Sequence, residues 1–70
     1  MMLAPIADNG FRGTAKSIEF GRAVDWPPGE LPDGVYDRFA LIEDGRETII
    51  ERLHPTPVRV GPGVTLRVWF

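Results

Sequence analysis

Catalysis by side chains needs a nucleophile or an acid–base pair held away from water, and the seventy residues of this chain offer few candidates. There is no cysteine, one histidine (His54), and aliphatic hydroxyls only at Thr14, Ser17, Thr48, Thr56 and Thr65. His54 lies between Leu53 and Pro55 at a break between elements, the place of a capping or surface histidine rather than of a base. Without thiolates or a second imidazole, a metal would have to be held by carboxylates, a donor set suited to magnesium or calcium. The adjacent pair Glu43 and Asp44 fits the solvated rim of a turn better than such a site. Gly61-Pro62-Gly63 lacks the lysine and the spacing of a phosphate-binding loop, and Pro62 removes an amide that a phosphate cradle would need. The expectation is a non-enzyme, with no catalytic residue, no cofactor and no metal.

Residues suited to contacts are easier to find. Tryptophan and arginine are the types most enriched where interfaces concentrate their binding energy, and Arg67 and Trp69 stand two apart on the last apolar run. Trp26 opens the stretch Trp26-Pro27-Pro28. A tryptophan beside prolines serves either as a platform for an extended peptide or as the plug of a small barrel, and a chain this short favours the plug. Leu3, Ile6 and Phe11 punctuate an N-terminal segment whose spacing fits neither helix nor strand. The expected partner-binding set is therefore Leu3, Ile6, Phe11, Trp26, Arg67 and Trp69.

The formal charge of −2 argues against a duplex DNA binder, which carries a basic patch. Seven of the eight cations are arginines, a bias that suits a contact surface and that GC-rich coding explains equally well. The first expectation is a protein–protein interaction module that binds another protein or copies of itself. It would be a small subunit of a larger assembly, such as a capsid-decorating or tail-associated component of a phage or virion. A second is a small inhibitor that occludes a host enzyme, with Glu43, Asp44, Glu47 and Glu51 gathered around one turn to meet a basic surface. A third is single-stranded nucleic acid binding through Trp69, Tyr36, Arg59 and Arg67. No apolar run approaches the roughly 20 residues that cross a bilayer, and the N-terminus lacks the basic start of a signal peptide. The expected location is cytoplasmic or within a virion, with no membrane partner.

The elements that must position these residues read as strands. Val64, Leu66, Val68 and Phe70 alternate with Thr65, Arg67 and Trp69, the period of a half-buried strand. That facing turns Trp69 outward, into a partner or under the N-terminal segment or the Trp26 loop. Over 14–25, Ile18 and Phe20 alternate with Ser17 and Glu19, so a first strand is expected there with Gly21 at a bulge or bend. Three prolines (Pro27, Pro28, Pro32) make 26–34 a long loop closing in a Pro-Asp-Gly turn. Val35 to Glu43 predicts a second strand, and Asp44-Gly45 a tight hairpin into the β-branched run 46–53. The alternative is a short helix over about 45–54, capped by Asp44 and stopped by Pro55, which would make the class α+β. Val58-Arg59-Val60 reads as a further short strand.

The expected fold is all-β: a small, five-stranded, partly open barrel or a two-sheet sandwich. The order of elements resembles that of a small SH3-like barrel in layout, with no diagnostic motif of any family. Residues 1–13 are expected as an extended arm and 14–70 as a single small β domain. Three apolar anchors cannot offset a backbone ordering cost of about 1–2 kcal/mol per residue, so the arm is expected to be mobile until it docks. The expected core is Ile18, Phe20, Val24, Val35, Phe39, Leu41, Ile50, Leu53, Val58, Val60, Val64, Leu66, Val68 and Phe70.

Overall fold

Ten residues from Gly34 to Glu43 form the longest strand, β4, and the rest of the main sheet is built on it. The computed structural model describes residues 1–53 and 56–69; the readings made at His54 and Phe70 lie outside these. Over the described residues the chain is all-β, in two antiparallel sheets that are not closed into a barrel. The larger sheet contains β1 (Met2–Ala7), β2 (Lys16–Ser17), β4, β5 (Arg46–Ile50) and β6 (Val58–Val60). Its order is β2-β1-β4-β5, and β6 pairs the N-terminal half of β4 while β5 pairs the C-terminal half. The smaller sheet is a two-stranded ribbon of β3 (Ala23–Trp26) and β7 (Leu66–Trp69).

The hairpin reading holds and the helical alternative over 46–50 does not. Glu43 pairs with Arg46 across a two-residue turn in which Asp44 (φ 49°) and Gly45 (φ 76°) both take left-handed backbone. That backbone matches the twist of the flanking strands. A short helix of this length would also be marginal without packing.

The N-terminal residues are not an arm. Met2 to Ala7 pair along β4, with Leu3 opposite Leu41 and Ala4 opposite Ala40, and β1 lies inside the sheet rather than beyond it. Pro5 is compatible with this position because its backbone faces away from β4: its carbonyl accepts from Gly13 N at 2.8 Å. In an antiparallel ladder the N–H and C=O of one residue point the same way, so the missing amide of Pro5 removes no bond to β4.

Near its start β4 carries a bulge. Ile6 pairs with Arg38 and Ala7 with Tyr36, leaving Asp37 unpaired. The extra residue reverses the alternation, so Tyr36 and Phe39 both face the core although three positions apart.

The core lies between the two sheets. Leu3, Ala7, Tyr36, Phe39 and Val60 from the larger sheet meet Val24, Trp26, Leu66 and Val68 from the ribbon, with Leu31 closing one side. Ile18, Leu41, Leu53 and Val58 pack against this cluster partly buried, while Val35, Ile50 and Val64 are half-buried. On the opposite face of the larger sheet, Ala4, Ile6 and Ala40 are buried with Ala15 against them. Phe20, expected in the core, is 99% exposed. The strand expected over 14–25 ends at Ser17, and the chain turns at Phe20-Gly21 (Gly21 φ 81°) before β3 begins.

Candidate functional site

The outer face of the ribbon follows directly from alternation. Leu66 and Val68 point inward and are buried, so Arg67 and Trp69 point outward, as do Ala23 and Asp25 on β3. Asp25 and Arg67 are directly opposed, and their side chains form a bidentate pair, Nε to Oδ1 at 2.7 Å and Nη2 to Oδ2 at 2.9 Å. The hydrogen bond from Arg67 holds the Asp25 carboxyl below the usual carboxylate range and raises the guanidinium in turn. Trp69 stands opposite Ala23, too small to cover it, and remains 64% exposed.

Next to the ribbon, the turn joining β2 to β3 carries Phe20 into solvent. Met1, Ile18, Glu19 and Phe20 line an open, mainly apolar pocket of about 190 Å³. A second, more polar hollow of about 210 Å³ lies among Ser17, Ile18, Glu19, Arg22, Ala23 and Val24, on the same turn. Ile18 and Glu19 belong to both, and Ala23 links the second hollow to Trp69 across the ribbon. Glu19 and Arg22 form an exposed ion pair at 3.3 Å on the turn itself.

The expected partner-binding residues are thus dispersed. Leu3 and Ile6 are core residues of β1, 0% and 6% exposed, so they cannot act as docking anchors. Phe11 is partly exposed on the loop after β1, where the Asn9 carboxamide accepts from its amide at 2.9 Å. Trp26 is buried to 1%, its ring tilted against Phe39 with centroids 6.4 Å apart, and its Nε1 donates to the Thr14 carbonyl at 2.8 Å. It plugs the core and offers no platform to a peptide. The Lys16 ammonium sits 5.7 Å from the Trp26 ring centroid, donating to the Asp25 carbonyl at 2.7 Å and to Glu30 at 2.9 Å. Only Arg67 and Trp69 share one face, and neither the N-terminal strand nor the Trp26 loop covers Trp69.

The nucleic-acid arrangement loses its stacking pair. Tyr36 is buried, its hydroxyl donating to the Pro32 carbonyl at 2.7 Å, and desolvation with the nearby Asp33 charge raises its phenol. The acidic turn is also partly neutralised, because Arg12 forms a bidentate ion pair with Glu47 and lowers that carboxyl. Among the described residues, no three His, Cys, Asp or Glu side chains gather where they could hold a metal ion, and no helix is long and apolar enough to cross a membrane.

No family model matches the chain, and neither a curated protein nor a solved structure matches it. The site therefore has to be read from its own geometry. Met1, Ile18 and Phe20 escaped the sequence reading because alternation with Ser17 and Glu19 sent Phe20 inward. The overlooked signal is Phe20-Gly21 followed by Arg22: a glycine at positive φ makes a turn, and the residue before it projects from the tip.

Proposed function

We propose that this chain is a non-enzymatic protein–protein interaction module, docking through the apolar surface that Phe20 forms with Met1 and Ile18. One observation carries this reading: Phe20 is 99% exposed at the rim of an apolar pocket. Scattered exposed apolar residues are ordinary. An aromatic projecting beside a hollow lined by a methionine and an isoleucine combines an anchor with a receptor for the partner's own anchor, the pattern of paired hot spots. A subunit of a larger assembly, a virion particle included, would present such a surface to its neighbour.

Burying one such phenylalanine contributes roughly 1.5–3 kcal/mol, which is about ten- to a hundredfold in affinity. The test is co-purification from the cells that make the protein, with wild-type and Phe20→Ser chains as bait. The substitution removes no core contact, so the melting temperature should not change. Recovery of the specific partner should fall at least tenfold. Equal recovery with both baits refutes the assignment of this surface.

A further inference from the structure

β7 has one strand neighbour, β3, so its other edge carries backbone groups with no strand partner among the described residues. The orientation of those groups follows from Lys16. The Asp25 carbonyl turns to the Lys16 ammonium at 2.7 Å, which places Asp25 among the residues whose N–H and C=O face away from β7. That orientation alternates along an antiparallel pair and is shared by opposed residues. Ala23 and Asp25 therefore present their backbone at the outer edge of β3, and Arg67 and Trp69 present theirs at the outer edge of β7.

The other edges are blunted in the ways that keep sheets from pairing. Lys16 lies against the edge of β3, β2 and β6 are two and three residues long, and β5 carries Arg46 and Glu47, the latter held by Arg12. β7 has no lysine, proline or bulge, and its one charged side chain, Arg67, is turned toward Asp25 on β3 while keeping its charge.

We propose that the edge of β7 pairs antiparallel with the same edge of a second copy, joining two ribbons into one four-stranded sheet. The register is selected by charge. A two-fold axis through Arg67 would set two arginines opposite each other, whereas an axis through Val68 sets each Arg67 opposite the partner's Trp69. Because Asp25 engages the edge of the guanidinium through Nε and Nη2, its flat face is left for the indole. The contact is reciprocal, as a two-fold interface requires. A two-stranded ribbon is marginal on backbone pairing alone, so a third strand completes what β3 and β7 leave open. An edge of four residues buries less than the roughly 800 Å² per partner of a standard interface, which makes the dimer concentration-dependent. This surface is separate from the Phe20 pocket, and the two assignments stand or fall independently.

Sedimentation equilibrium of the full chain from micromolar to millimolar concentration tests the pairing, together with hydrogen exchange of the Arg67 and Trp69 amides. Wild-type protein should move from monomer to dimer while those two amides become protected. Trp69→Lys places a cation opposite each Arg67 and should weaken association at least tenfold, with an unchanged melting temperature at dilutions where both chains are monomeric. Trp69→Glu supplies an opposite charge there and should retain most of it. Phe20→Ser should leave self-association unaltered. A wild-type chain that stays monomeric at millimolar concentration, or a Trp69→Lys chain that dimerises as well as wild type, overturns the proposal.

Discussion

Replacing Leu3 with Ala separates a structural β1 from a detachable arm. Leu3 is fully buried, with Leu41 opposite it on β4 and Lys16 opposite it on β2. Truncating a buried leucine costs about 2–5 kcal/mol, the spread reflecting how far the site collapses. Strands on both sides hold the backbone of Leu3, which limits collapse and keeps the cost off the bottom of that range, at about 3 kcal/mol or more. In a domain of this size each kcal/mol moves the melting temperature by about 4–8 °C. Leu3→Ala should therefore melt roughly 12–24 °C below wild type. Typical stabilities begin near 5 kcal/mol, so a large part of the total would be lost.

The internal control is the neighbouring residue. Met2 points to the other face of the sheet, is 38% exposed and pairs with Ile42. Met2→Ala should cost about 1 kcal/mol or less. Thermal unfolding followed by circular dichroism, with urea titration read from the buried Trp26, measures both. A Leu3→Ala chain no less stable than Met2→Ala would show that β1 is dispensable to the core and refute its placement inside the sheet.

Two further outcomes follow from particular contacts. A Cβ at Gly13 would lie 2.5 Å from Leu31 Cδ2 and 2.9 Å from Pro5 Cγ, and the proline ring cannot rotate away. Gly13→Ala should destabilise by about 1–3 kcal/mol, as overpacking does, whereas Gly34→Ala, with open space around it, should be neutral in the same urea titration. The carboxyls of Asp25 and Glu47 are held below their ordinary values by Arg67 and Arg12. A depressed folded-state pKa contributes stability above the ordinary carboxylate value, near pH 4, and loses it as pH falls through the lower folded value. Melting temperatures from about pH 5 down to about pH 2 should thus drop more steeply for wild type than for an Asp25→Asn, Glu47→Gln double variant, with added salt shrinking the gap. Parallel curves would mean that these exposed pairs do not hold in solution.

Period and turn chemistry made the C-terminal two-thirds of the fold legible. The Asp44-Gly45 hairpin, the short strand at 58–60 and the inward facing of Leu66 and Val68 all rest on patterns with one physical interpretation. The N-terminal third was not legible because the structure there is fixed by partners, not by local pattern. Leu3, Ile6 and Phe11 show no common period because Leu3 and Ile6 lie on opposite faces of a strand buried on both sides, and Phe11 lies beyond it. A proline inside a paired strand argues against strand formation unless its backbone faces away from the neighbour, and that orientation depends on Gly13, eight positions further on. The Asp37 bulge likewise hides Tyr36, which alternation from Phe39 sends outward. Leu31 was overlooked for a similar reason: a loop leucine flanked by Glu30 and Pro32 gives no sign of the space it closes beside Gly13.

For the candidate site, the sequence separated Arg67 and Trp69 from the core correctly but joined them to residues that the fold buries. The division has a mechanical origin. The ribbon is tied to the larger sheet by the side chains of Val24, Trp26, Leu66 and Val68, not by a shared backbone ladder. Its inward residues secure it, so its outward residues are relieved of any folding role beyond the Asp25–Arg67 pair. The same holds for the turn at Phe20, which contributes Ile18 to the core and leaves the phenylalanine outside. A polar residue at either place would serve folding equally well and would lower the exposed apolar area. The two aromatics thus stand where folding does not require them, Trp69 on the layer with the fewest backbone partners and Phe20 on the turn that leads into it, and that placement is what supports reading them as contacts to another chain.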